Sequence, residues 1–228
     1  MSVIKVAILG AGGFAREVWW ALRNARAHDS RLTFEPVMFV DLTVHTGLLK
    51  GLPVRTLEDV PADVLLICGV GGMTEIKERI VTAAVHDGHR FAPAAIAEGA
   101  RVGPDVRIGE GTILCAGVIA TTDIEIGPHV AINLDCTIGH DAVIGAYTTM
   151  SPGCHVSGCV RVGRNAFLGT GALVLEHVAI GAHAILGAGA VATKDVPDHA
   201  LAVGVPAVVK KFRNSTVSAS ATSSSAGQ

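Results

Sequence analysis

The pattern of hydrophobic positions changes near residue 91. Before that point, apolar runs of strand length alternate with segments of helical pattern, and the runs end at glycine or aspartate. Strands are predicted at 3–9, 36–40 and 64–68, and helices at 14–27 and 74–86. This alternation predicts an α/β, Rossmann-like domain with a small parallel sheet over residues 1–91.

From Ile96 onward the pattern is a strict repeat of six. Fourteen of the sixteen residues reached in steps of six from Ile96 to Leu186 are Ile, Val or Leu, and the residue four positions after each is small or medium-sized except Ile124. The residue directly after each aliphatic is glycine in nine of the sixteen hexads. The period predicts a left-handed parallel β-helix over residues 92–207, with three hexads per coil and both repeating positions inside. The glycines are expected to serve the corner conformations.

The repeat also places two of the five cysteines. Cys136 and Cys154 stand eighteen residues apart at the same hexad position, so they should stack inside the coil as small apolar side chains. The odd number of cysteines and the lack of CxxC spacing favour a reduced, cytoplasmic compartment. Residues 208–228 form a C-terminal segment, of which 214–228 are mostly Ser, Ala and Thr and are expected to be disordered.

Composition narrows the range of partners. The 228 residues carry 18 basic and 20 acidic side chains, and neither part of the chain has the basic excess of a nucleic-acid-binding protein. No apolar segment approaches the roughly 18–20 residues of a membrane span. The first residues also lack the order of a signal peptide. Nucleic-acid and membrane partners are therefore not expected.

A glycine turn follows the first predicted strand and leads into the first helix. Gly10, Gly12 and Gly13 fit the G-x-G-x-x-A pattern, in which the backbone approaches a phosphate at a helix N-terminus. Asp41 and Gly69 follow the next two strands and should meet this turn at one edge of the sheet, where a nucleotide could bind. A plain strand-to-helix turn is the alternative. Three strands are half of a dinucleotide fold, which favours a mononucleotide or nucleotide-sugar over NAD.

One histidine of the repeat has the neighbours of a general base. His140 is followed by Asp141, and one coil later its position is taken by Gly158, which leaves space for a substrate. A carboxylate beside an imidazole fixes the tautomer and raises the basicity of the ring, so His140 is the candidate base. Three other histidines share one hexad position and are expected on the outside of the coil: His129, His177 and His183.

Together these features resemble one family. They are the glycine turn, the unbroken hexads, Ile-Gly-His-Asp-Ala-Val-Ile-Gly at 138–145 and Val-Gly-Val-Pro-Ala at 203–207. Over residues 3 to about 212 the chain is similar to the acetyl-CoA-dependent sugar acetyltransferases. These include the N-acetyltransferases of UDP-linked 4-amino sugars and of GDP-perosamine, with sialic acid O-acetyltransferases as close relatives. The resemblance implies a homotrimer with active sites between neighbouring β-helices, acetyl-CoA as co-substrate, and no metal.

The resemblance also implies roles for individual residues. His140 would be the catalytic base and Asp141 its acidic partner, while the backbone N–H of Gly158 would face the acetyl carbonyl. Asn133 would lie near the sugar amine, and the first domain would hold the nucleotide of the sugar. The pantetheine arm of acetyl-CoA would follow the backbone of later coils, around Gly169, Thr170 and Gly187. O-acetylation of sialic acid or another sugar is the alternative reaction.

Other mechanisms and functions fit the sequence less well. Direct attack on the thioester is expected, because Cys159 is the single candidate nucleophile and nothing marks it as activated. A metal hydratase of the γ-carbonic anhydrase type needs three histidines that meet between subunits, and the spacing offers no such trio. An NAD-binding regulatory module would rest on the first glycine turn alone. A non-catalytic scaffold trimer would leave the His140–Asp141–Gly158 arrangement without a role.

Overall fold

A computed structural model shows a parallel sheet with two helices followed by a parallel β-helix. The structure describes residues 3–28, 30–41, 47–72 and 74–213. The first part contains, in chain order, β1 (Val3–Leu9), α1 (Gly13–Leu22), β2 (Arg26–Ala27), β3 (Thr33–Val40), β4 (Leu48–Leu49), β5 (Leu52–Arg55), a 3₁₀ turn (Leu57–Asp59), β6 (Leu65–Cys68) and α2 (Thr74–His86). Neither of these helices has both the length and the apolar character that crossing a membrane requires.

The sheet of the first part has four parallel strands in the order β5-β3-β1-β6. The prediction of three strands missed β5, because Pro53 interrupts its apolar run and proline reads against a strand. The predicted helix at 14–27 is too long, since α1 ends at Leu22. Arg26 and Ala27 instead form β2, which pairs antiparallel with β3 and with the first strand of the β-helix.

The β-helix consists of seventeen two-residue strands on three faces, followed by two longer strands. The first face carries β7 (Ala95–Ile96), β10 (Ile113–Leu114), β13 (Ala131–Ile132), β16 (Thr149–Met150), β19 (Phe167–Leu168) and β22 (Ile185–Leu186). The second carries β8 (Arg101–Val102), β11 (Ile119–Ala120), β14 (Thr137–Ile138), β17 (His155–Val156), β20 (Leu173–Val174) and β23 (Val191–Ala192). The third carries β9 (Arg107–Ile108), β12 (Glu125–Ile126), β15 (Val143–Ile144), β18 (Arg161–Val162) and β21 (Ala179–Ile180). The chain then forms β24 (Ala200–Val203) and β25 (Val208–Phe212), and the stretch 214–228 lies outside the described residues.

The predicted register of the repeat is confirmed. Each strand from β7 to β20 pairs in parallel with the strand eighteen residues later, as Thr137 does with His155. Fourteen of the sixteen aliphatic positions are buried, and Val102 and Ile108 in the first coil are half-buried. Cys136 and Cys154 are fully buried in the same core, as expected. The core of the β-helix is therefore a stack of small and branched side chains, without aromatic residues.

The prediction that the repeated glycines serve the corner conformations is wrong. The corner residue with positive φ is not the one after the aliphatic but the third one after it, for example Asp141 at 58° and Cys159 at 57°. The glycine directly after the aliphatic is required by the neighbouring coil. A Cβ on Gly139 would lie 2.6 Å from the backbone nitrogen of Gly158, closer than atoms can approach. Backbone packing between coils, rather than left-handed geometry, selects these glycines.

Each face ends at a corner of the β-helix, and we number each corner by the face that it follows. Helix α2 lies along the third corner. The hydroxyl of Thr74 donates to the carbonyl of Asn165 at 2.7 Å. Farther along α2, the ammonium of Lys77 donates to the Thr148 carbonyl at 3.1 Å and to the Thr149 hydroxyl at 2.9 Å. Lys77 is only 2% exposed, and burial lowers its pKa to about 8. These contacts fasten the first part of the chain to two consecutive coils.

His129 lies on the outside of the coil as predicted, but it is not exposed to solvent. Its side chain is buried between Phe91 and Tyr147, with ring centroids at 4.6 and 5.2 Å. Burial lowers the pKa of His129 to about 4, so the ring is neutral at physiological pH. The position does point outward from the coil, but the first part of the chain covers it. His177, at the same hexad position on another corner, is exposed as expected.

Candidate active site

The predicted catalytic residues lie together on the second corner of the β-helix. His140 and Asp141 follow β14, and Gly158 and Cys159 occupy the same places one coil later. The coils are joined here by the Cys159 N–H, which donates to the His140 carbonyl at 2.8 Å. Sequence reasoning missed Glu176, which extends the His140–Gly158 row by one more coil. The step of eighteen residues from Gly158 is the signal that would have found it.

His140 and Asp141 form a hydrogen-bonded pair at the surface. The Nδ1 of His140 lies 2.8 Å from Oδ2 of Asp141, and the two side chains are 53% and 61% exposed. The hydrogen bond to Asp141 raises the pKa of His140 above its usual value, and the negative charges of Asp141, Glu176 and Asp123 act in the same direction. With Nδ1 donating to the carboxylate, Nε2 carries the lone pair that can accept a proton.

Gly158 places a backbone amide beside that lone pair. A Cβ on Gly158 would lie 2.6 Å from Nε2 of His140, so the imidazole rests against the glycine where any side chain would clash. At the corresponding places on the corners from residue 110 to residue 188, no backbone N–H donates to a backbone carbonyl among the described residues, and Pro128 and Pro152 have no N–H. Gly158 has no side chain of its own, and the imidazole of His140 covers it. A proton acceptor and a hydrogen-bond donor thus stand side by side.

The predicted nucleotide residues also gather at one place, the carboxyl ends of the parallel strands. In the sheet Leu9 is the neighbour of both Val40 and Cys68, so the turns that follow the three strands adjoin. The Gly10 N–H donates to the Val40 carbonyl at 2.6 Å, and Asp41 follows Val40 directly. We call this place the strand-end crevice.

The glycines of the strand-end crevice differ in what they do. A Cβ on Gly69 would lie 2.8 Å from the Cα of Ala15, so Gly69 lets α1 pack against the sheet. Gly10 has a φ of 111° and needs glycine for its conformation. Gly12 caps α1 and Gly13 begins it, and nothing lies within 4 Å of a Cβ built on Gly12. The open surface is therefore at the start of α1.

The remaining predicted residues lie on a different corner from His140. Asn133, Gly169, Thr170 and Gly187 all follow strands of the first face and stack on the first corner. Asn133 is only 6% exposed, and its Nδ2 donates to the Met150 carbonyl at 2.8 Å. Within one chain, the second face separates these residues from His140. The predicted site residues thus form three groups: one in the strand-end crevice, and two on the corners at opposite edges of the second face.

Comparisons with known proteins give the family. No protein-family model matches the chain, and no curated protein matches it. Among solved structures, WeeI from Acinetobacter baumannii AYE is 30% identical with a TM-score of 0.79, over 91% of this chain and 100% of that one. The acetyltransferase domain of PglB from Neisseria gonorrhoeae FA1090 is 30% identical with a TM-score of 0.79, over 90% and 98%. PerB from Caulobacter crescentus, in complex with CoA and GDP-perosamine, is 34% identical with a TM-score of 0.77, over 92% and 98%.

The chain belongs to the nucleotide-sugar N-acetyltransferase family. It is accordingly an acetyl-CoA-dependent enzyme. The PglB domain has been solved with acetyl coenzyme A. Two structures of the Caulobacter crescentus perosamine N-acetyltransferase, with CoA and GDP-perosamine, carry a histidine replaced by asparagine in one and by alanine in the other.

For this acetyltransferase, the pair of His140 and Asp141 predicts a specific pH dependence. A general base works only when it is unprotonated, so kcat/KM should fall on the acid side with an inflection above the ordinary histidine pKa, because Asp141 raises the pKa of His140. Asp141→Asn removes the charge and should move that inflection to lower pH, with a loss of activity at the plateau smaller than that of a His140 variant. A pH–rate profile of both proteins measures this, and an unmoved inflection would contradict the assignment.

Proposed function

We propose that the enzyme transfers the acetyl group of acetyl-CoA to the amino group of a nucleotide-linked 4-amino sugar, with GDP or UDP as the nucleotide. The observation that carries the proposal is the Nε2 of His140 beside the Gly158 amide. The amine nitrogen attacks the thioester carbon, and His140 accepts the proton that the amine loses. The C–S bond then breaks, and the proton passes to the leaving CoA thiolate. The Gly158 N–H donates to the oxygen on which negative charge develops.

We further propose that a complete site needs two chains. The residues expected near the sugar amine and along acetyl-CoA lie on the first corner, and His140 lies on the second corner. The second face separates these two corners within one chain, whereas a neighbouring copy can present its second corner to the first corner of this chain. Repetition of that contact around a three-fold axis closes as a homotrimer. Leu173 and Leu175, which begin and follow the second-face strand β20, are 37% and 44% exposed and support burial there.

The trimer is expected to be the species in solution. Light scattering at micromolar concentration should give the mass of three chains, and acetyl-CoA should bind to that species. A monomeric mass with full activity would contradict an active site shared between chains. The five cysteines are all unpaired, which agrees with the proposal that the protein works in the reducing cytoplasm.

The strand-end crevice is proposed to hold the nucleotide of the acceptor. Asp41→Ala should then raise the KM for the acceptor about ten- to a hundred-fold, as expected for a lost hydrogen bond from a carboxylate to a base or ribose. The KM for acetyl-CoA should stay nearly unchanged. Asp63→Ala is the matched control, since Asp63 is an exposed aspartate of the same part of the chain. Steady-state kinetics with each substrate varied in turn make the comparison.

A substrate panel tests the reaction itself. The enzyme is incubated with acetyl-CoA and GDP-, UDP- or CMP-linked 4-amino sugars, and with free sialic acid, while released CoA thiol is measured and the product is analysed by mass spectrometry. We expect acetylation of one nucleotide-linked amino sugar, with a product that resists hydroxylamine because it is an amide. Acetylation of sialic acid to a hydroxylamine-sensitive ester, with no effect of Asp41→Ala, would show instead that the first part is not an acceptor site.

A further inference from the structure

Five side chains of the kinds that bind metal ions surround Gly158, and only two of them have a part in the proposed reaction. One set is His140, Asp141 and Cys159, whose ligand atoms all lie within 4.8 Å of one another. The second set is Cys159, Glu176 and His177, under the same limit. Cys159 belongs to both sets. We call these five residues the corner cluster.

The geometry of the repeat holds the corner cluster together. Asp141, Cys159 and His177 occupy the same left-handed position on successive coils, with φ of 58°, 57° and 64°. Successive coils are spaced like neighbouring strands, about 4.8 Å apart. In the adjacent row, Gly158 stands between His140 and Glu176 and contributes no side chain. The backbone therefore stacks three ligands in one row, and the absence of a side chain on Gly158 lets the imidazole of His140 lie beside the middle one.

The chemistry of the cluster fits zinc rather than a hard cation. Zinc binds thiolate, imidazole and carboxylate groups at about 2.0–2.3 Å in tetrahedral sites, whereas magnesium and calcium take oxygen ligands. Ligand atoms within 4.8 Å of one another must converge by about 1 Å to share such an ion. His140 and Asp141 have the freedom to do so, because they are 53% and 61% exposed. Solvent can supply a fourth ligand.

We propose that Zn²⁺ binds to Cys159, His140 and Asp141 and acts as a reversible inhibitor. On binding, the thiol of Cys159 loses its proton to the solvent, and a nitrogen lone pair of His140 becomes a metal bond. The imidazole can then no longer accept the proton of the amine. The ion also occupies the space beside Gly158, so it excludes the acetyl carbonyl. It is not a cofactor, since the reaction needs no metal.

The inhibition rests on the proposed function of His140, but the binding does not, so the two are measured separately. Binding is followed with Co²⁺ in place of Zn²⁺, because a cobalt–thiolate bond gives a charge-transfer absorption that needs no substrate. Wild type should show this absorption with one ion per chain, and Cys159→Ser should lack it. Absence of the absorption in the wild type overturns the proposal, whatever the activity assay shows.

Activity in increasing Zn²⁺ completes the test. Wild type should be inhibited in parallel with binding, and Cys159→Ser should need at least about tenfold more Zn²⁺ while keeping its basal activity. His155→Gln removes an exposed histidine from the second face and should leave the inhibition unchanged. Equal inhibition of wild type and Cys159→Ser would overturn the proposal.

The two sets of ligands are distinguished by a second pair of variants. If the ion is held by His140, Asp141 and Cys159, the zinc affinity of Glu176→Gln and of His177→Gln should stay within about threefold of wild type. A loss of affinity in these variants as large as that of Cys159→Ser would place the ion in the second set, away from the base, and would overturn the inhibitory site. A cobalt–thiolate absorption in a protein that acetylates no amino sugar would leave the metal site standing and refute only the proposed reaction.

Discussion

Replacement of His140 by alanine is expected to lower kcat by about 10²- to 10⁴-fold, the usual contribution of a general base. The side chain is exposed and packs against a glycine, so its loss leaves no cavity in the core. Acetyl-CoA binding and the melting temperature should therefore stay close to those of wild type. Single-turnover measurement of CoA release, together with calorimetric binding of acetyl-CoA, separates the loss of chemistry from a loss of binding.

His155→Ala provides the matched control for this variant. His155 is also an exposed histidine, it lies on the same face as the strand before His140, and its Nδ1 is 2.9 Å from the Thr137 hydroxyl. Its replacement should change kcat by less than about threefold, since no reacting group of the proposed mechanism touches it. Near-normal turnover of His140→Ala, or an equal loss in both variants, would refute the role of His140 as the base.

The buried Lys77 is expected to make the stability of the protein rise with pH in the alkaline range. Its pKa is about 8 in the folded protein and 10.5 when unperturbed. Between these two values the unfolded chain binds more protons than the folded one, so the free energy of unfolding increases as pH rises from 8 to 10.5. The difference of pKa values corresponds to about 3 kcal/mol over the whole window. Below pH 8 this group gives no slope.

Comparison of wild type with Lys77→Met isolates the effect. The difference in unfolding free energy between the two proteins, measured by denaturant titration at pH 7 to 10.5, should change in favour of wild type as pH rises. Cys68 interacts with Lys77, and burial raises the pKa of its thiol above the usual value. Lys5→Met, which removes an exposed lysine, should follow the wild-type curve. A constant difference between wild type and Lys77→Met would show that Lys77 titrates normally.

The β-helix could be predicted from the sequence because each hexad repeats the same pattern of aliphatic and small residues. An aliphatic every six residues and a small residue four later leave one arrangement in which both are buried, and the structure buries nearly all of them. His140, Asp141 and Gly158 were found by the same route, since a fixed step of eighteen residues places them on one corner. Periodicity thus reports on contacts between coils as well as within them.

What the sequence could not predict depends on contacts between the first part and the β-helix. Whether His129 faces water is decided by Phe91, which no repeat relates to it. In the same way, the two residues of β2 pair across the boundary between the two parts, and nothing in the α1 region marks where the helix must end to allow this pairing. Such facts follow from tertiary packing, which overrides local pattern.

The amide of Gly158 has counterparts on other coils. The reaction centre could therefore be rebuilt at another coil along the axis of the β-helix by substitution. On the second corner, the N–H groups of Thr122, His140 and Gly158 stand in one row, and none of them donates to a backbone carbonyl of the residues that the structure describes. Asp123 already follows Thr122, as Asp141 follows His140. Thr122→His combined with His140→Gly would therefore rebuild the same base, acid and amide one coil earlier, about 4.8 Å nearer the start of the β-helix. Such a scaffold can match acceptors of different length in fixed increments, by exchanging two side chains and leaving its backbone unchanged.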